Sequence, residues 1–435
     1  MALTIPKQER KTLNQSKISN VELGITFCLC LFYLGINLPS PIPSAFALLS
    51  FIIIPILIIR QWRSFVYVAT RDLVLLLTVA IAFISVAWST APGETLASSR
   101  AILSTTAFGI YLVTRYTPKE QLSLFAGLFA IYTVLNLLAA ILVPSYGMPY
   151  RVHDGGGVVL QGVAGHKNQL AAAMAVATTL FLDIGIYSRK YRKIALIAAA
   201  IAFAVLLLSK GKGSLAVFIA MLSLLPLYRI AKVDYRLKTF LGICAFLIVA
   251  VVVAITLINL EVIVVDFLGK DMNFSGRIPL WEYLIGRGME KPFLGYGYAA
   301  FWTNPAERLG VELNTWIDAV EATGNSHSAY VELFLQLGFL GVSLVLLSFI
   351  TVLIRVLLLL GLTKQIEYFW MLQLLIFIAI SSYSEVFIGL LISYRSLYWV
   401  LYVSICCSTA IHLRRILQTG NKLVNLQYEN TTYQH

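Results

Sequence analysis

Apolar runs close to twenty residues long, parted by short polar clusters, fill most of the chain. A run of about twenty such residues crosses the hydrocarbon layer of a bilayer as a helix. Spans are therefore expected at 21–37, 44–59, 72–88, 100–114, 122–143, 167–187, 194–209, 213–228, 239–259, 329–354, 368–384 and 396–412. The pair around 194–228 reads as nearly one long hairpin, and no internal repeat is visible. The pattern predicts an all-α, polytopic transmembrane helix bundle of about 12 helices. Its parts are an N-terminal segment 1–20, about nine spans over 21–259, a large loop 260–326, about three spans over 327–412, and a tail 413–435. Short amphipathic helices are expected within the loop, lying over the bundle.

Composition supports the membrane reading. Hydrophobic residues make up 59% of 435 positions and charged residues 12%, with a mean hydropathy of +0.82. Soluble domains are roughly half apolar and a quarter charged, so the excess here requires lipid as solvent. The net charge of +12 is spread in short clusters between apolar runs. No continuous basic face exists to follow phosphates, which argues against nucleic acid as a partner. Lys and Arg also set the orientation, because cytoplasmic loops carry the excess. With both termini cytoplasmic, the inner segments hold 22 of the 33 basic residues. The loop 260–326 is then extracytoplasmic. The first apolar run lacks a small-residue cleavage site and is expected to be retained as a span. Cys28, Cys30, Cys244, Cys406 and Cys407 fall in apolar runs without metal-ligand spacing.

Four places on the outer side carry candidate chemistry. At Gly165-His166-Lys167-Asn168-Gln169 a Gly-rich stretch enters a helix, whose free N–H groups, with Asn168 and Lys167, offer an anion site. His166 there is either a cap or a functional group. Ser209-Lys210-Gly211-Lys212-Gly213-Ser214 is a tight turn whose lysines either snorkel to water or meet a phosphate. In Asn273-Phe274-Ser275-Gly276-Arg277-Ile278-Pro279-Leu280-Trp281 a loop turns into a helix, with Arg277 near its start. Pro292-Phe293-Leu294-Gly295-Tyr296-Gly297-Tyr298 follows, a glycine turn too short for a nucleotide fingerprint. Finally, Asn325-Ser326-His327-Ser328-Ala329-Tyr330-Val331-Glu332 runs into the tenth span, with His327 at its mouth. Imidazole titrates near neutrality and can act as a general base. Trp281, Trp302 and Trp316 in the loop suit the headgroup layer or, less readily, the stacking of sugar rings.

These elements, in this order, resemble the O-antigen ligase and polymerase superfamily, which includes exopolysaccharide polymerases. The resemblance rests on the His-Lys-Asn helix start, the small-residue basic turn, Ser-Gly-Arg…Trp with Pro-Phe-Leu-Gly-x-Gly, and His327 opening Tyr-x-Glu…Leu-Gly-x-x-Gly. It covers roughly residues 70–400. Two positions depart from the pattern: Lys212 stands where Arg is frequent, and Ser328 follows the His where Asn is frequent. Lysine keeps the charge but lacks the bidentate fork of Arg.

The resemblance implies a metal-independent glycosyltransferase of the cytoplasmic membrane's outer face, without cofactor. Its donor would be a glycan on undecaprenyl diphosphate and its acceptor a glycan or lipid, with other polysaccharide assembly proteins as further partners. It assigns His327 and Arg277 to catalysis, and Lys212, His166, Lys167 and Asn168 to binding the diphosphate or glycan. Arg100, at the outer end of the fourth span, and Glu385, an ionisable residue at membrane depth near the outer end of the eleventh, are further binding candidates by position. Glu385 has an alternative, pairing with Arg395. Within the family a polymerase is preferred over a ligase. Outside it, a lipid-linked sugar transporter or a non-catalytic export component remains, although the internal repeats frequent in transporters are missing.

Overall fold

The computed structural model describes residues 18–149, 157–230, 277–314, 324–393 and 395–432. Among them the chain is helical, with no strand. The helices, in order, are α1 Asn20–Leu34, α2 Ile42–Ile59, α3 Trp62–Ala69, α4 Leu73–Ile84, α5 Pro92–Arg115, α6 Pro118–Leu142, α7 Pro144–Gly147 and α8 Lys167–Tyr187. They continue with α9 Arg192–Leu208, α10 Lys212–Leu222, α11 Leu225–Ile230, α12 Arg277–Gly288, α13 Pro305–Asn314, α14 Ala329–Thr363, α15 Ile366–Ser381 and α16 Leu397–Thr432.

Six of the described helices are long and apolar enough to cross a bilayer, or seven if the bent pair α3–α4 is one span. The chain is thus a multi-pass membrane protein. The expected count of about 12 is not reached by length alone, because α1, α10 and α15 are short and apolar. The expected span 239–259 lies outside the described residues, as do Cys244, Trp316, Ser275 and Gly276. The hairpin over 194–228 is interrupted twice, at the Lys210 turn and between α10 and α11. Residues 60–71, expected as a plain inner connection, contain α3.

Small residues explain the centre of the bundle. Lipid tails are as apolar as leucine, so helices associate in a membrane chiefly through close packing. α8 carries Ala171, Ala172, Ala173, Ala175 and Ala177, all buried, and it is the most enclosed of the long spans. At Gly109 of α5 a Cβ would lie 2.8 Å from Val403 of α16, so the Val403 side chain packs directly against the α5 backbone. Trp399 donates to Thr106 across the same interface at 2.9 Å.

The connections gather at two ends. At one, Asn37 donates to Val163, Leu160 to Leu208, Thr90 to Tyr296, and the Tyr298 hydroxyl to Leu391. At the other, Arg115 pairs with Glu22 at 2.6 Å, Arg355 with Asp72, and Tyr228 bonds to the Lys364 carbonyl. This grouping follows the alternation expected from the basic residues.

α14 is broken near its start. Gly338 sits at φ 58°, ψ −161°, outside helical geometry. The carbonyls of Leu335 and Gln336 accept from Tyr296 and Gly297 at 3.0 and 2.9 Å. The amides of Phe339 and Leu340 donate to Pro292 and Phe293 at 2.7 and 3.2 Å. The glycine turn at 292–298 therefore serves as a backbone splint for a broken helix. On its far side it meets the α4–α5 corner, where Trp88 donates to Leu294 and Thr95 to Tyr298. The described part of the long loop folds over this splint with a small core of its own: Leu280, Leu284, Tyr296, Phe301, Trp302, Val311 and Leu335. Arg287 of α12 ties to Glu307 of α13 at 2.7 Å.

A Cβ at Gly338 would lie 2.4 Å from the Phe293 carbonyl carbon, on a backbone only glycine adopts readily. Gly338→Ala is expected to destabilise the protein by about 1–3 kcal/mol or more, read as a lower melting temperature in detergent, whereas Gly361→Ala, in open space on the same helix, should be near neutral.

Candidate functional site

Four stretches meet at the end of the bundle that carries the splint. The first is the start of α8. His166 caps that helix, its Nδ1 accepting from the Asn168 amide at 3.2 Å. An accepting Nδ1 leaves the ring proton on Nε2. The Asn168 side chain reaches across to donate to Glu385 Oε1 at 2.8 Å. Lys167 is the first residue of α8, half-buried.

The second is Arg277, the first residue of α12. Its guanidinium donates to the Ser384 carbonyl at 2.9 Å. The third is the loop 325–328, tied down from several sides. The Ser326 amide donates to Glu332 at 3.0 Å, its carbonyl accepts from the Trp281 indole at 2.8 Å, and its hydroxyl donates to the Ser328 carbonyl at 2.6 Å. His327, whose amide donates to Asn325, is held at φ +54°. Side chains other than glycine seldom take such a backbone, and it persists only where the surroundings impose it. The fourth is the connection 382–385 after α15. Its Ser382 carbonyl accepts from Ala329 at 2.8 Å, which joins it to the start of α14.

Electrostatics place the histidines and Arg277 together. Burial above all, and then the neighbouring Arg277 and His166, together push the His327 imidazole down to about 4. His327 is therefore neutral at pH 7 in the empty site and able to accept a proton.

The lysine turn joins the site through packing. A Cβ on Gly211 would fall 2.3 Å from the Ala171 Cβ, so the turn rests on α8 one helical turn beyond Lys167. Lys212 opens α10 there, with an exposed side chain. Arg100 is exposed on α5 and takes no part in the contacts that hold the four stretches together. Glu385 lies past the end of α15, outside the helix.

Of the loop tryptophans, Trp302 departs from expectation by being buried, and both it and Trp281 serve as anchors. Trp302 is buried and donates to Glu332 at 2.8 Å, and Trp281 holds Ser326 while its ring packs edge-on against Tyr383. Buried indole N–H groups need acceptors, and here those acceptors lie in the His327 loop and its anchor. Glu332 was not singled out from the sequence beyond its motif. It is 2% exposed and accepts from Trp302, Ser326 and Gln336. An ionisable residue opening an otherwise apolar helix was the signal available.

Arg277, His166 and the lysines suit an anion. Among the described residues no three His, Cys, Asp or Glu side chains converge as metal ligands would.

Residues 194–346 match the family model described as O-antigen ligase. The match supports the resemblance to the O-antigen ligase and polymerase superfamily over this stretch. It spans Lys212, Arg277 and His327, while His166–Asn168, Arg100 and Glu385 lie outside it. No curated protein matches the chain. The match supports an enzyme of the glycosyltransferase kind in a membrane setting.

Glu332→Ala would strand the Trp302 indole and the Ser326 amide in a buried setting. Each stranded donor costs about 1–3 kcal/mol, so a clear fall in melting temperature is expected. Glu332→Gln, which keeps an acceptor oxygen, should lose less.

Proposed function

We propose that this protein is a glycosyltransferase of the bacterial cytoplasmic membrane that polymerises a glycan carried on undecaprenyl diphosphate at the outer face. Both termini are cytoplasmic in this reading, and the His327 end faces outward. The observation that carries it is the meeting of Arg277, His166 and His327 at one end of a membrane bundle, in a chain whose 194–346 stretch matches the ligase model.

The chemistry follows from those groups. The acceptor hydroxyl oxygen forms a bond to the anomeric carbon as that carbon's bond to the diphosphate oxygen breaks. The hydroxyl proton passes to His327, and the bonding electrons leave with the diphosphate. Fixed cations aimed at that growing charge lower the barrier. Arg277 fills this role, with Lys212 assisting, so side chains rather than a metal meet the charge. His166, Lys167 and Asn168 at the start of α8, together with Arg100 and Glu385, bind the diphosphate or glycan. The bilayer holds the polyprenyl chain and the loop covers the sugars, which keeps the reactants oriented.

A ligase that passes the glycan to a lipid or other acceptor is the second reading, favoured by the description of the matched model.

Purified protein in detergent, given a polyprenyl-diphosphate oligosaccharide and candidate acceptors, should release polyprenyl diphosphate only when an acceptor is present. His327→Ala is expected to slow release about 10²–10⁴-fold. The acceptor that works separates polymerase from ligase. Equal release by both proteins removes His327 from the mechanism, and no release with any donor favours transport or assembly.

A pH series tests the base. With His327 at about 4 in the empty site, kcat/KM should stay level from neutrality and fall only as pH drops through about 4, where the imidazole gains its proton. A bound diphosphate offsets the charge of Arg277 and raises the imidazole. The acidic limb of kcat should therefore lie at higher pH than that of kcat/KM, since the two report the bound and free enzyme respectively. Coincident limbs would argue against this coupling.

A further inference from the structure

The end of the bundle opposite His327 carries α3, whose 8 residues are too few to cross a bilayer by themselves. α3 turns by 92° from the following helix α4. The elbow is rigid. Asp72 caps α4 by accepting from the Leu75 amide at 3.0 Å, and its other oxygen takes Arg355 of α14. Arg71 lies over the Tyr67 ring at 4.0 Å.

α3 has two faces. Val68, 1% exposed, turns inward with the half-buried Ser64 and Phe65. Trp62, Val66 and Tyr67 face outward, 58%, 38% and 41% exposed, beside Arg63. The neighbouring helices show lipid-facing side chains right up to the elbow: Ile56 and Ile59 on α2, Leu73 and Leu77 on α4. With α2 and α4 running through hydrocarbon, a helix at a right angle to α4 lies along the level where hydrocarbon ends. Residues 42–71 contain Arg60, Arg63 and Arg71 and no acid. Two acids at this end, Glu22 and Asp72, are taken by Arg115 and Arg355. An amphipathic helix with aromatic and basic residues lies in the interface plane, its rings at headgroup level and its cations toward phosphates.

We propose that α3 is an interfacial helix that seats this end of the bundle in the headgroup layer and binds anionic phospholipid there. The inference is independent of the proposed reaction. It gives the protein a second polar surface, one made for lipid headgroups, at the face opposite His327.

The test uses the full-length protein in bilayer nanodiscs of phosphatidylcholine and phosphatidylglycerol, with bromine near the top of the acyl chains of one lipid or the other. The emission of wild type minus that of Trp62→Phe isolates Trp62. Quenching is expected to favour brominated phosphatidylglycerol, and replacing Arg60 or Arg63 by Gln should weaken that preference about fivefold for each arginine. Both arginines are exposed, so the variants should keep their melting temperature. Two results would overturn the proposal. One is equal quenching by the two brominated lipids, unchanged in the Gln variants. The other is quenching by aqueous iodide and by neither lipid.

Discussion

Breaking a helix at the edge of a bilayer leaves amides and carbonyls that lipid cannot satisfy, each costing several kcal/mol. At Gly338 of α14 that cost is met by the backbone of Pro292–Gly297, which supplies two acceptors to one side of the break and two donors to the other. The arrangement needs glycine at three places, because side chains at Gly295, Gly297 and Gly338 would strike backbone or Ser89. Once the splint is in place, the first turns of α14 point their own way, and the rest of the site follows. Leu335 supplies part of the small core beneath α12. Glu332 collects the Trp302 indole and the Ser326 amide. His327 is held at a backbone angle that a free loop would avoid.

The same burial shapes the chemistry. Taking an imidazole from water disfavours its charged form, and the neighbouring Arg277 and His166 add to that effect. The site therefore pairs a neutral histidine with a nearby fixed cation. In the proposed glycosyl transfer from a diphosphate, His327 is the proton acceptor and Arg277 the stabiliser of negative charge. Glu385 binds Asn168, and its neighbour Ser384 binds Arg277. The connection after α15 thereby links the start of α8 to the start of α12, although these lie far apart in the chain.

The spans themselves follow membrane logic. α8 is built from alanines that let neighbours approach, and polar side chains such as Thr106, Ser348 and Gln121 find partners on facing helices. Ion pairs stand mostly at the ends, as Arg115–Glu22 and Arg355–Asp72 do, where water or headgroups can share their solvation. The second pair also fixes the elbow that sends α3 along the membrane surface.

The sequence by itself determined the class of the protein, an all-helical multi-pass membrane protein, and where the six long apolar helices among its described residues lie. Hydropathy and Lys/Arg placement are local quantities, and the bilayer converts them directly into helices and sides. It also marked His166, Asn168, Arg277, His327 and Glu385, because chemistry-bearing residues between apolar runs stand out. What those residues touch was decided only by tertiary structure. The glycine turn at 292–298 looked like a loop motif and proved to be a splint, since its partner lies about forty residues away. Trp302 reads as interfacial along the chain and is a buried anchor in the fold, because an indole's place depends on whether a distant acceptor is buried beside it. α3 merged with a polar connection in hydropathy, and only the 92° elbow held by Arg355 set it apart. Periodicity and charge act along the chain, whereas hydrogen-bond satisfaction acts across it.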